Sequence, residues 1–217
     1  MPSFRHPLRL VTVALLAGVI VGAAVAAEPQ PVKLNAADQA AAKAATLKAR
    51  DLGPGWKGGA TKPDLQRDDV GRCGIEYRDL VLTGVAEAQF TRPGTYVGSY
   101  SEVLQTKRMV ALEWQRAVTS GAIVACMRKT LAEDSPGTLV SFTKIAFSRV
   151  APMTARYRLV QDYTASGRTQ RILMDLILLG RGRNEVTLVV SVPYAERAAV
   201  AALELRLARV LASRMRA

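Results

Sequence analysis

Residues 155–192 read ARYRLVQDYTASGRTQRILMDLILLGRGRNEVTLVVSV, and the punctuation of this stretch decides the fold. Tyr157, Leu159, Gln161 and Tyr163 alternate with Arg156, Arg158 and Asp162, the period of two that marks a strand with one wetter face. The next segment, TQRILMDLILL, is apolar on both faces at its far end and is expected at the centre of a sheet. EVTLVVSV supplies a further strand, and only Ser166-Gly167 and GRGRN separate the segments. A parallel crossover needs roughly a dozen residues or more, so these strands must pair antiparallel.

Working outward, TLVSFTKIAFSRV (138–150) reads as one more strand, preceded by Pro136-Gly137. Two helices lie upstream of it. Lys107 to Thr119 places Val110, Trp114, Ala117 and Val118 on one face, which gives Trp114 a core role. AIVACMRKTLAED (122–134) carries Cys126. Before these, IEYRDLVLTGVAEAQFTR and TYVGSYSEVLQT are rich in β-branched and aromatic residues and read as two strands split by Pro93-Gly94. Residues 58–72, with their Gly, Pro and Asp, read as a loop leading to Cys73. Asn35 is a suitable N-cap for an Ala-rich helix running to Leu52, where Gly53 and Pro54 stop it. At the other end, Pro193 closes the sheet and a long helix follows over 195–215. Its buried stripe is Val200, Leu203, Leu207, Val210 and Leu211, opposite Arg209 and Arg216. The order describes a single α+β domain over 35–217, an antiparallel sheet of about six strands packed against helices.

Residues 1–27 differ from the rest. Arg5 and Arg9 precede an uncharged run from Leu10 to Ala27, which ends in Ala24-Val25-Ala26 or Val25-Ala26-Ala27 ahead of Glu28. That is the pattern of a cleavable export signal; the same run, at the short end of membrane-spanning length, also fits an uncleaved anchor. Residues 28–34, EPQPVKL, form a short linker. Either reading places the domain outside the cytoplasm, secreted or anchored by residues 10–27. In an oxidising compartment the two cysteines, Cys73 and Cys126, are expected to form one disulfide, the alternative being two buried thiols. Two cysteines are too few for a thiolate metal site. The net charge is +12, two of it from Arg5 and Arg9. A basic exported surface attracts an anionic envelope polymer or a lipid headgroup; a small ligand, apolar or anionic, is the other expected partner, and export argues against nucleic acid.

The only histidine, His6, lies in the export segment. This removes Ser-His-Asp and Cys-His catalysis, HExxH zinc chemistry and imidazole acid-base steps, so no cofactor, metal or catalytic residue is assigned. A carboxylate or Tyr-dependent hydrolase using Asp68, Asp69 and Tyr77 remains as a lesser alternative, although neighbouring residues tend to point apart. GPGWKGG follows a helix and GRGRN leads into a strand, so neither supplies the helix N-terminus of a phosphate loop. Arg181 and Arg183 at the second could still hold an anion through their forks. Trp56, just past the helix break in DLGPGWK, is either a ligand platform or an anchor pinning the first helix to the sheet, and the anchor reading predicts that it is mostly buried.

Taken together, DLGPGW, a following cysteine, and SEVLQTKRMVALEWQRAVTSGAIVAC with Trp114 ahead of Cys126 resemble the secreted actinobacterial PknH-like extracellular sensor domains. That resemblance implies an α+β, disulfide-linked, ligand-sensing domain without catalysis. Here there is one cysteine pair where those domains commonly have two, and the Trp lies farther from the Cys, so no binding residue is carried over. The expectation is an exported, envelope-associated binding module. A structural or interaction protein using its basic surface is the alternative.

Overall fold

The computed structural model describes residues 30–65, 73 and 77–215. The export segment with His6 and the Asp68-Asp69 pair lie outside the described residues. The molecule is α+β, built on one antiparallel sheet of seven strands in the order β1-β2-β3-β7-β6-β5-β4. The strands are β1 (Lys57–Thr61), β2 (Leu82–Arg92), β3 (Thr95–Leu104), β4 (Thr138–Lys144), β5 (Met153–Ala165), β6 (Arg168–Arg181) and β7 (Asn184–Pro193). The helices are α1 (Ala36–Ala44), α2 (Ala49–Leu52), α3 (Lys107–Glu113), α4 (Gly121–Asp134) and α5 (Arg197–Arg214).

The 155–192 stretch folds as its turns require. Arg158 pairs with Asp175, Leu176 with Val189, and each connection is a hairpin. β7 then joins β3, so the centre of the sheet is closed by a long-range pairing that no local turn specifies.

Alternation along the strands sends side chains to two faces, and helices cover both. On one face Phe90, Val97, Leu173, Ile177, Leu179, Val186, Leu188 and Val190 meet Leu207 and Leu211 of α5. Here α1 also docks, Ala41 and Ala42 against Ala86 and Val103. The approach is close enough that a Cβ at Gly84 would collide with the Asp38 carbonyl. On the opposite face α3 covers Val85, Tyr100 and Leu104, and α4 covers Phe142, Tyr157 and Leu159. Between α3 and α4, Trp114–Thr119 form a π-helical turn.

Five expectations change. The first helix breaks after Ala44 and resumes as the one-turn α2, where Leu47 turns into the core and its N–H donates to Ser99 Oγ at 2.9 Å. Lys57–Thr61, part of it read as loop, is an edge strand on β2; its two glycines hide the strand signal, and Gly58 admits the backbone of Gln89. β4 ends at Lys144 rather than Val150, and β2 begins at Leu82. Finally, the charged face of β5 is wet only in part: Arg158 and Asp162 keep some contact with solvent, whereas Arg156 is only 8% exposed, because α5 lies over it.

Candidate functional site

α2 ends at Leu52, and Gly53 and Gly55 both take positive φ, 83° and 85°, which an L side chain resists. With Pro54 between them the chain reverses and brings Trp56 back toward α5. The indole is half-buried: it packs on the main core and also borders a cavity of about 170 Å³. Leu52, Val192, Val200 and Leu203 supply apolar wall, and Arg92, Thr95, Glu196 and Arg206 supply polar groups. Trp56 therefore anchors the helix break and lines a cleft at once.

Its surroundings are fixed by charged groups. The Arg92 guanidinium stacks over the Trp56 ring at 4.8 Å from its centroid, and its Nε donates to Thr95 Oγ1 at 3.4 Å. Arg206 donates to the Asp51 carbonyl oxygen. Arg214 holds the Asp51 carboxylate with two hydrogen bonds at 2.6 and 2.8 Å, while Lys48 N–H donates to the same group at 2.7 Å. Burial would raise the Asp51 pKa, but these bonds hold it below the usual carboxylate range. α2, and with it the wall that carries Trp56, is thus tied to α5, while Arg92 shares the cavity rim with Glu196 and forms no ion pair with it.

The other sequence-chosen residues are dispersed. Cys73 and Cys126 are disulfide-bonded and join α4 to the segment ahead of β2. Trp114 packs half-buried on the core beneath α4, near Gly180. Arg183 donates to Leu104 O at 2.8 Å and pairs with Asp38 at 2.5 Å, so its fork locks α1 to the β6-β7 hairpin. Arg181 ends β6 half-buried. Tyr77 lies in the turn before β2, while Asp68 and Asp69 are outside the described residues.

Two carboxylate groups escaped sequence reading. Beneath α5, Arg156 Nη2 contacts Asp175 at 2.6 Å and Glu204 at 2.8 Å, and Arg158 grips both oxygens of Asp175 at 2.8 and 2.7 Å. Burial, then the neighbouring Asp175, pushes Glu204 up to about 8. Asp175 is also driven upward by burial, but hydrogen bonds led by Arg158 hold it below normal. Beneath α3, Glu102, Glu113 and Glu185 bring carboxylate oxygens within 4.8 Å of one another. Burial and then the charge of Glu102 raise Glu113 to about 7, and burial with Glu113 raises Glu185 well above its ordinary value. Three oxygens of this kind suit a hard cation, and protons shared among raised carboxyls account for the same geometry.

No family model and no curated protein matches the chain. Among solved structures, LpqN, described as involved in cell envelope biogenesis of Mycobacterium tuberculosis, is similar with a TM-score of 0.33 at 9% identity, over 74% of this chain and 77% of that one. A Pseudomonas aeruginosa protein of unknown function, PA94, described as a putative regulator, gives 0.32 at 12% identity, over 62% and 85%. Likenesses this low carry no functional argument. None of these comparisons returns the PknH-like domains by sequence. Among the described residues no helix is long and apolar enough to cross a membrane.

Proposed function

We propose that the protein is an exported, envelope-associated binding module of sensor type, without catalysis, whose site is the Trp56 cleft. The observation that carries this reading is the half-buried indole on the wall of an open cavity of about 170 Å³ with an apolar floor and a charged rim. Ligand sites combine an apolar lining with a few placed polar groups, and this one is small, so it accepts a compact molecule or the end of a longer one. Export is supported by the charged start and apolar run of residues 1–27, and the Cys73–Cys126 disulfide suits an oxidising compartment.

Thermal unfolding against a panel of small amphiphiles, glycans and wall fragments tests the site. A ligand that raises Tm for the wild type and not for Trp56→Ala is the expected result. A panel that shifts neither protein removes the reading.

A further inference from the structure

Resting on that reading, we propose that the cleft recognises a small amphiphilic anion, a carboxylate or phosphate on a short apolar stem. Its charged group would be taken by Arg92 and Arg206, and its stem by Leu52, Val192, Val200 and Leu203.

The rim is what selects the charge. Two guanidinium groups and one carboxylate, Glu196, border the cavity, which leaves it net positive. The Arg92 guanidinium lies over the Trp56 ring, 4.8 Å from its centroid, which narrows its range of positions before any ligand arrives. A guanidinium so placed loses less freedom on engaging an anion, and its fork offers two parallel donors to a planar or tetrahedral oxyanion. Among the described residues its Nε alone is engaged, at 3.4 Å with Thr95. Arg206 is likewise anchored by a bond to the Asp51 carbonyl, and Asp51's own carboxylate is already satisfied by Arg214, so it does not compete for the rim arginines.

The floor is what selects the stem. Val192 and Val200 are buried parts of the main core, and Leu203 packs against that core from α5. A stem of a few carbons laid there removes apolar surface from water without demanding a polar partner. The volume, about 170 Å³, is below the range of drug-sized sites, so a long chain would leave its far end outside. Phosphate or carboxylate on such a stem is the chemistry shared by a soluble metabolite and by a lipid headgroup at a bilayer.

Hexyl phosphate, hexanoate, hexanol and hexylammonium, titrated while the Trp56 indole N–H is followed by NMR, separate the terms; Trp56→Phe assigns the signal against Trp114. Both anions should move the signal with hexanol weaker by roughly tenfold, the scale of a hydrogen bond to a charged group, and hexylammonium without effect. Arg92→Ala and Arg206→Gln should each weaken hexyl phosphate by a similar factor, and Arg92→Lys should recover only part of it. Hexanol binding as tightly as the anions overturns anion recognition and leaves the cleft as an apolar site. No response to any of the four overturns the cleft as well. Sedimentation with phosphatidylglycerol vesicles that Arg92→Ala abolishes assigns the anion to a lipid headgroup; binding of soluble hexyl phosphate alone assigns it to a free ligand.

Discussion

Asp175 and Glu204, beneath α5, meet two arginines; Glu102, Glu113 and Glu185, beneath α3, meet one another. The two groups lie on opposite faces of the same sheet, each covered by a helix, and both contain an acid whose pKa is driven up to about 7 or 8. On the α5 face, the arginines let one carboxylate stay ionised while its neighbour keeps a proton. On the α3 face the proton does the work itself. A buried charge needs a partner or must be neutralised, and this one sheet carries each solution on a different face.

The largest effect should come from breaking the first solution. Arg156→Ala leaves Asp175 and Glu204 facing each other with Arg158 alone, and Arg158 is the more exposed of the two arginines. Removing one partner of a buried pair costs about 3–5 kcal/mol. Urea unfolding near neutral pH measures it, and a loss under about 1 kcal/mol would mean that the cluster is solvated rather than buried.

Glu113→Gln should act in the opposite direction. Unfolded Glu113 ionises near 4.5, whereas in the folded protein its pKa is about 7. The wild type therefore loses stability as pH rises from 4.5 to about 7, because the unfolded chain gives up its proton first. The glutamine cannot pay that cost, so its advantage should be absent near pH 4.5 and reach on the order of 2–3 kcal/mol above pH 7. Glu204→Gln should show the same sign with a window extending to about 8. Tm against pH for both variants decides the matter; curves parallel to the wild type would show that neither acid holds a proton in the fold.

How much of this was visible in the sequence differs between the two groups. Glu204 falls in register with Val200, Leu207 and Leu211, the stripe that the helical period marks as buried, so its burial was readable as a polar residue on an apolar face. Reading Arg156 and Arg158 as a wet face concealed its partners. The Glu102, Glu113 and Glu185 group had no such signal. Glu102 and Glu185 are opposed only because β7 pairs with β3 across the intervening helices and hairpins, and that register is a tertiary fact. The α+β layout and the disulfide followed from short-range turns and compartment. β1 did not, because Gly58-Gly59 carries no alternation. The Trp56 cleft was half legible: the Gly-Pro-Gly break predicted the end of the helix ahead of Trp56, while the far wall comes from α5, more than a hundred residues away.

The smallest effect sharpens the comparison most, because it holds geometry fixed. Arg158–Asp175 and Arg171–Asp162 are both directly opposed residues of β5 and β6, and in each an arginine reaches both carboxylate oxygens. The distances match: 2.8 and 2.7 Å in the first, 2.7 and 2.8 Å in the second. What differs is burial. Asp175 is fully covered by α5, whereas Arg171 and Asp162 lie near the Ser166-Gly167 turn in contact with water. If the hydrogen bonds themselves set the energy, Arg158→Ala and Arg171→Ala should cost the same. If desolvation sets it, Arg171→Ala should leave Tm unchanged at about 0.15 M ionic strength, where exposed charges are screened, and Arg158→Ala should lower it. The second outcome is expected, since water replaces a lost partner at the hairpin end and cannot replace one under α5. Equal losses would move the explanation for the whole α5 cluster from burial to hydrogen-bond geometry.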